Sequence, residues 1–344
     1  MNGPLHGMRV VEFEGIGPGP MAGRMLMQMG AELTLIVRPQ ANAMTQRVMG
    51  DEHPLRQGKR VLTLDLKAPG AVAQALDLLT DADALIEGNR PGVMERLGLG
   101  PEPCHARNPR LVYGRMTGWG QRGPLAQAAG HDLNYVALSG LLSVSARPGE
   151  RPIIPPTVVG DAAGALGLAF GIVCALLDVR GSGGRGRVVD AAIIDITSML
   201  GGLVHWLNAR GGIGGERPSA FHDSPFYDVY ECADQRFITV GALEPQFYAL
   251  LLAKLELNDV DPAAQYDTAK WPALKARIAA LFRTRTRDAW CALLEGSDVC
   301  FAPVLTIAEA AAHPHNVARG VFEALPGGGV RAAAAPRFTA TTPP

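Results

Sequence analysis

Cysteine, aromatic residues and net charge are all scarce in this chain, and each shortage narrows what it can be. The five cysteines (Cys104, Cys174, Cys232, Cys291 and Cys300) are odd in number, scattered and never spaced Cys-x-x-Cys. That pattern supports neither a disulfide framework nor a zinc site, and it suits a reducing compartment. Lysine plus arginine (32) nearly balance aspartate plus glutamate (33), so nothing suggests nucleic acid or an anionic membrane as a partner. Repeats and low-complexity tracts are missing apart from the Ala- and Gly-rich stretch from Leu325 to Pro336. The longest apolar run, Ala162 to Leu177, stops short of the roughly 18 residues that suggest a membrane span and reads as a buried helix. The N-terminus lacks the charged-then-apolar profile of a signal peptide, and Thr341-Thr-Pro-Pro344 carries no peroxisomal or lipidation signal, so the cytoplasm is the expected location.

What remains is an enzyme-sized globular chain of 344 residues, 47% hydrophobic and 19% charged, for which two domains are expected. Apolar runs at Met8–Phe13, Glu32–Val37, Val61–Asp65, Ala84–Gly88, Leu111–Met116 and Arg187–Asp190 read as strands. Helical spacing between them, at Met21–Met29 and Gly70–Leu79 for example, argues an α/β fold with a Rossmann-like parallel sheet. The turn Gly15-Ile-Gly-Pro-Gly-Pro20 invites a dinucleotide reading, but Pro18 and Pro20 remove the N–H donors a pyrophosphate cradle needs. The next strand also ends in Arg38 where a ribose-binding acid would be required. The Gly-rich stretch from Gly201 to Phe221 reads as a linker to a smaller α+β domain. That domain would hold a hairpin at Tyr227–Glu231 and Arg236–Val240, helices at Pro245–Leu255, Trp271–Phe282 and Arg287–Leu294, and a closing strand from Phe301.

Three stretches carry candidate chemistry. From Gly114 to Gly140 a strand leads through a Gly-rich loop to His131-Asp132 at the mouth of a helix, where unpaired amides of a first turn can hold an oxyanion. Asp161 stands at the start of the long apolar helix, and Glu244 just before Pro245 at a favoured first helical position. Plainer roles compete with each: a capped or core histidine, an Asp N-cap and a first-turn acid. His313 and His315 have no acid or cysteine at ligand spacing, so they mark a turn and no metal site is expected.

The segments Gly17-Pro-Gly-Pro20, Gly88-Asn-Arg-Pro-Gly-Val-Met-Glu-Arg-Leu-Gly-Leu-Gly100, Thr117-Gly-Trp-Gly-Gln-Arg-Gly-Pro124, Gly130-His-Asp-Leu-Asn-Tyr135 and Gly241-Ala-Leu-Glu-Pro-Gln-Phe-Tyr248 resemble those of α-methylacyl-CoA racemases, a branch of the family III CoA-transferases. The resemblance runs from about Met8 to Phe338. It implies the family III fold as an interlocked homodimer, with a large CoA-binding domain (1–200), a linker (201–222), a small domain (223–307) and a return segment (308–344). It also implies an acyl-CoA thioester as substrate, with CoA as part of that substrate and no added cofactor or metal. His131 and Asp161 would be the two bases, the Asp132 amide the enolate-stabilising donor, and Glu244, supplied by the partner chain, the group that orients His131. Arg38, Lys59, Arg60, Asn89 and Arg90 would line the CoA entry groove, with Tyr135 adding to the substrate-binding set. Two alternatives stay open: a CoA-transferase with Asp161 as nucleophile, and a non-catalytic acyl-CoA-binding protein. Against the transferase, Gly17 stands where transferases typically place glutamine, His131 stands where they tend to have an aromatic residue, and their Gly-rich closing loop has no clear counterpart.

Overall fold

Along Arg9–Phe13 (β1) successive side chains point to opposite faces, and both faces must be apolar because parallel sheets are covered on both sides. Val10 enters one core with Leu33, Leu35, Ile86 and Leu168, while Val11 and Phe13 enter another with Ile36, Leu85 and Leu79. The computed structural model describes residues 3–40, 54–147, 149–156, 159–325 and 327–339. It divides into one unit of Met1–Leu142, Ile153–Gly202 and Ala334–Pro344, and a second of Ser143–Pro152 and Leu203–Ala333.

In the first unit β1 is joined by β2 (Glu32–Val37), β3 (Arg60–Thr63), β4 (Ala84–Glu87), β5 (Val112–Thr117) and β6 (Val188–Ala192), all parallel, in the order β3-β2-β1-β4-β5-β6. The order reverses between β1 and β4. In such sheets the crevice beyond the carboxyl ends of the strands at the reversal is where ligands bind. The helices are α1 (Pro18–Gln28), α2 (Ala71–Leu79), α3 (Val93–Arg96), α4 (Pro101–Arg107), α5 (Asp132–Leu138), α6 (Val159–Ser182) and α7 (Ile193–Leu200). Helix α1 starts earlier than its apolar spacing suggests, because Pro18 and Pro20 fit a helical first turn that needs no N–H donors.

Helix α6 is 24 residues long and ends at Ser182, beyond the expected end near Leu177, so by length and composition it would be long enough to cross a membrane. Here one side of it is core: Ala165, Leu168, Ile172 and Val179 pack on the sheet. Gly164, Gly167 and Gly171 let Ile193, Ile196 and Val189 come so close that an added Cβ would meet them at 2.8, 2.3 and 2.7 Å. The opposite side is an apolar stripe in solvent, with Leu166, Phe170 and Leu177 at 56%, 67% and 65% exposure.

The second unit holds the antiparallel sheet β7 (Tyr227–Glu231), β8 (Phe237–Gly241) and β9 (Phe301–Pro303), after α8 (Gly202–Ala209). Helices α9 (Pro245–Lys254), α10 (Trp271–Phe282) and α11 (Arg287–Leu294) close on it around Phe226, Tyr248, Trp271, Phe282 and Trp290. The short helices α12 (Ile307–Ala312) and α13 (Pro314–Arg319) and the hairpin β10 (Phe322–Ala324)–β11 (Val330–Ala332) follow. Two stretches differ from the sequence reading. The glycine-rich stretch taken for a linker contains α8, and Ser143–Pro152, placed there with the large domain, belongs with the second unit.

Candidate functional site

The loops leaving β1, β4 and β5 at their carboxyl ends surround a cavity of about 210 Å³ whose lining includes Ile16, Gly17, Gly88, His131, Tyr135 and Asp161. Three of the expected site residues, His131, Tyr135 and Asp161, therefore share one cavity, at the reversal of strand order. His131 is the extended N-cap residue of α5, and its own N–H donates to Asn134 Oδ1 at 3.0 Å, which fixes the backbone that presents the imidazole. Tyr135 wedges the preceding loop. Its hydroxyl donates to the Gly130 carbonyl, and its ring meets Trp119 edge-on at 4.7 Å. Its hydroxyl is thereby engaged with the loop, so Tyr135 shapes the cavity wall.

Asp161 occupies the third position of α6, so the plainer reading of it as the N-cap does not hold. The capping is done from α5. Asp132, 4% exposed, accepts the amides of both Gly160 and Asp161 on its Oδ1, at 2.7 Å each. Free amides of a helix first turn attract negative charge, so this carboxylate is stable where it lies. Its charge also acts on the neighbouring acid. Burial pushes the Asp161 carboxyl up to about 6, the negative charge of Asp132 pushes in the same direction, and His131 pulls the other way. On the cavity side Asp161 faces Gly17, whose φ of 68° favours glycine; a Cβ there would lie 2.9 Å from Asp161 Oδ2.

A second, larger groove of about 720 Å³ opens beyond β1, β2, β3 and β4 and shares Phe13 with the cavity. Arg38, Lys67 and Asn89 line it among Leu64, Leu66, Val93 and Leu97. Arg38 and Lys67 are exposed and form no ion pair among the described residues, so both can meet an anion. Lys67 was missed by the sequence reading, although it follows β3 much as Arg38 follows β2. Arg90 is exposed on the loop that carries Asn89 but is not part of the groove lining.

Lys59 and Arg60 do not belong to this groove. Lys59 Nζ donates to Glu12 Oε1 at 2.8 Å, Glu12 Oε2 at 2.6 Å and Pro20 O at 3.1 Å, and the two side chains are 0% and 1% exposed. The Lys59 ammonium therefore has its three donors engaged and no path to a ligand. Burial pushes the Glu12 carboxyl up to about 7 and the Lys59 ammonium down, against the attraction between them. Arg60 is exposed at the amino end of β3, paired with Thr34, away from the carboxyl edge that forms the groove. Glu244 lies in the second unit, exposed, as the N-cap residue of α9 with Pro245 at the first helical position. Among the described residues no group of three His, Cys, Asp or Glu side chains could hold a metal ion.

The Asp132 contact makes a prediction of its own. Asp132→Asn keeps an oxygen for the two amides but removes the negative charge, so the Asp161 carboxyl falls below its value of about 6. Carboxyl titration followed by carbon-13 NMR measures this, and a midpoint that stays put or rises would show that Asp132 does not set it. Asp132→Ala removes the acceptor as well and is expected to lower stability by about 1–2 kcal/mol in urea unfolding.

A parallel sheet with His131 and Asp161 in a cavity at its switch point, beside a groove lined by Arg38 and Lys67 together with Glu14 and Asp65, has relatives of known kind. The model of CoA-transferase family III matches residues 5–344. An alpha-methylacyl-CoA racemase of Mus musculus is 41% identical over 321 residues, 92% of this chain and 82% of that one. An acetyl-CoA:oxalate CoA-transferase of Acetobacter aceti is 30% identical over 347 residues, 95% of this chain and 87% of that one. Among solved structures, a CAIB/BAIF family protein from Brucella suis superposes with a TM-score of 0.83 at 25% identity, covering 98% of this chain and 93% of that one. Sheet, site and matched length agree on one conclusion: the chain belongs to CoA-transferase family III.

Proposed function

We propose that the protein is an α-methylacyl-CoA racemase, interconverting the (R)- and (S)-2-methylacyl-CoA thioesters by moving a proton at the carbon next to the thioester carbonyl. The observation that carries this reading is the pairing of His131 with a carboxyl held near neutrality, Asp161, in one cavity. Inversion needs one group to take the proton on one face and another to return a proton on the other. General acid–base groups work best with a pKa near the working pH. Burial and the charge of Asp132 bring the Asp161 carboxyl toward that range, up to about 6. The intermediate enolate places charge on the former carbonyl oxygen, and the Asp132 amide in the first turn of α5 is the donor assigned to it. The similarity to racemases of known name supports the same choice of branch. Glu244, delivered by a second copy of the chain, is assigned to hold the protonated His131.

The transferase alternative uses the same Asp161 as an acyl acceptor. It is disfavoured by the bare Gly17, which offers Asp161 no side-chain partner on the cavity side, and by a carboxyl pKa raised toward the range of a proton shuttle. A second copy is favoured by the exposed stripe of Leu166, Phe170 and Leu177 on α6, an apolar surface of the kind that monomers seldom leave in water.

In deuterated water, either epimer of a 2-methylacyl-CoA is expected to lose its configuration and take up one deuterium without added metal or cofactor. No label from either epimer, or CoA transfer to a second acid in its place, defeats the racemase reading. His131→Ala and Asp161→Asn should each cut exchange from one epimer by about 100-fold or more while sparing the other. Arg38→Ala and Lys67→Ala are each expected to weaken CoA esters about tenfold, the scale of one lost charge-assisted hydrogen bond. Neither should change the affinity for a truncated pantetheine thioester, and equal losses for both ligands would place the residue outside the nucleotide groove. Sedimentation equilibrium should give a dimer for the wild type and a monomer for Phe170→Glu; a monomeric wild type would reject the shared-site arrangement.

A further inference from the structure

The peptide that delivers Glu244 is held far more firmly than an exposed turn requires. Glu244 is itself exposed, yet the two carbonyls before it are both occupied. Gln265 Nε2 donates to Ala242 O and to Leu243 O at 3.0 Å each, and the Tyr266 hydroxyl donates to Leu243 O at 2.7 Å. The amides are engaged too, Ala242 with Phe226 O at 2.8 Å and Leu243 with Gly241 O at 2.9 Å. Gln265, 3% exposed, is pinned in turn by Trp271, whose indole N–H donates to Gln265 O at 2.8 Å. The rings of Tyr266 and Trp271 both pack edge-on against Phe226.

The orientation of the Gln265 amide is fixed by chemistry. Turning Oε1 toward two carbonyls would set acceptors against acceptors. As it stands, Oε1 is buried without a hydrogen-bond partner among the described residues. An amide left half-satisfied in an apolar core costs stability that a methionine of similar shape would not. The compensation lies at the other end of the amide, where one NH₂ group fixes the direction in which the chain enters Glu244.

We infer that Gln265 and Tyr266 are positioning residues for Glu244: their three hydrogen bonds to the Ala242 and Leu243 carbonyls aim its carboxylate at its partner base. This rests on the racemase reading, in which Glu244 orients His131 of a second copy. Orientation of a catalytic group contributes to rate without adding to substrate affinity. Loosening the cradle therefore slows exchange through His131 and leaves exchange through Asp161 intact.

The test uses the full chain and the deuterium wash-in assay, with each epimer measured separately and assigned to its base by the His131→Ala variant. Gln265→Met is expected to slow exchange through His131 about tenfold and Tyr266→Phe about threefold, with KM and exchange through Asp161 within about twofold of wild type. In a Glu244→Ala background neither substitution should have a further effect, because the group they act through is gone. Equal losses from both epimers, no loss at all, or a full additional loss on top of Glu244→Ala overturns the inference. A wild type that exchanges neither epimer refutes the racemase reading and takes the inference with it. A wild type that exchanges both, combined with symmetric losses in the variants, removes the cradle alone. Should Gln265→Met not fold, Tyr266→Phe gives the same comparison, since it removes one hydroxyl from a half-exposed ring.

Discussion

One carboxylate, Asp132, ties the two halves of the candidate site together. It follows His131 directly in α5 and accepts the amides of Gly160 and Asp161 in α6 at 2.7 Å each. Segments about 30 residues apart in the chain are thereby set in register by a bifurcated, charge-assisted contact. The same charge has an electrostatic consequence. It meets the positive end of α6, where it is favoured, yet it lies close enough to Asp161 to oppose ionisation there. Asp132 thus sets the geometry at the start of α6 and adds to the larger effect of burial on the proton affinity of Asp161.

That contact forms only because the sheet brings α5 and α6 to one place. With the order β3-β2-β1-β4-β5-β6, loops leaving β1 and β4 diverge to opposite sides and leave an opening between them. The cavity with His131 and Asp161 lies on one flank of that opening, and the groove with Arg38 and Lys67 on the other, with Phe13 common to both. An elongated ligand with a phosphate-bearing end and a reactive thioester end matches such a pair of adjoining spaces.

The sheet was legible from the sequence because short apolar runs bounded by glycine and proline suit strands buried on both faces, and β1, β2, β4 and β5 fall within a residue or two of where those runs lie. His131, Asp161 and Arg38 were legible because each stands next to the end of such an element. The errors share a different cause, which is that a residue's partner is far away in the chain. Lys59 looks like a groove cation until Glu12, 47 positions earlier, takes its ammonium inside the fold. Asp161 looks like a cap until Asp132 is found doing that work from another helix. A buried cation and a solvated one look the same in sequence. The stretch holding α8 was misread for a local reason: its glycines flank a run from Leu203 to Ala209 that is itself free of glycine and proline.

Gly17 shows how local sterics bear on the choice between proton transfer and acyl transfer. Its φ of 68° already favours glycine, and the Asp161 carboxylate stands 2.9 Å from where a Cβ would sit. A side chain here would therefore meet backbone strain and would need the Asp161 carboxylate to move aside. Residue 17 consequently offers the carboxylate no side-chain donor, while burial and the charge of Asp132 raise its proton affinity against the pull of His131. A nucleophilic carboxylate is helped by donors that keep it ionised and hold the developing anhydride, whereas a group that must give a proton as readily as it takes one works best near the balance point. The turn after β1, which resembled a nucleotide cradle without its amide donors, is instead a wall of the cavity that Asp161 faces.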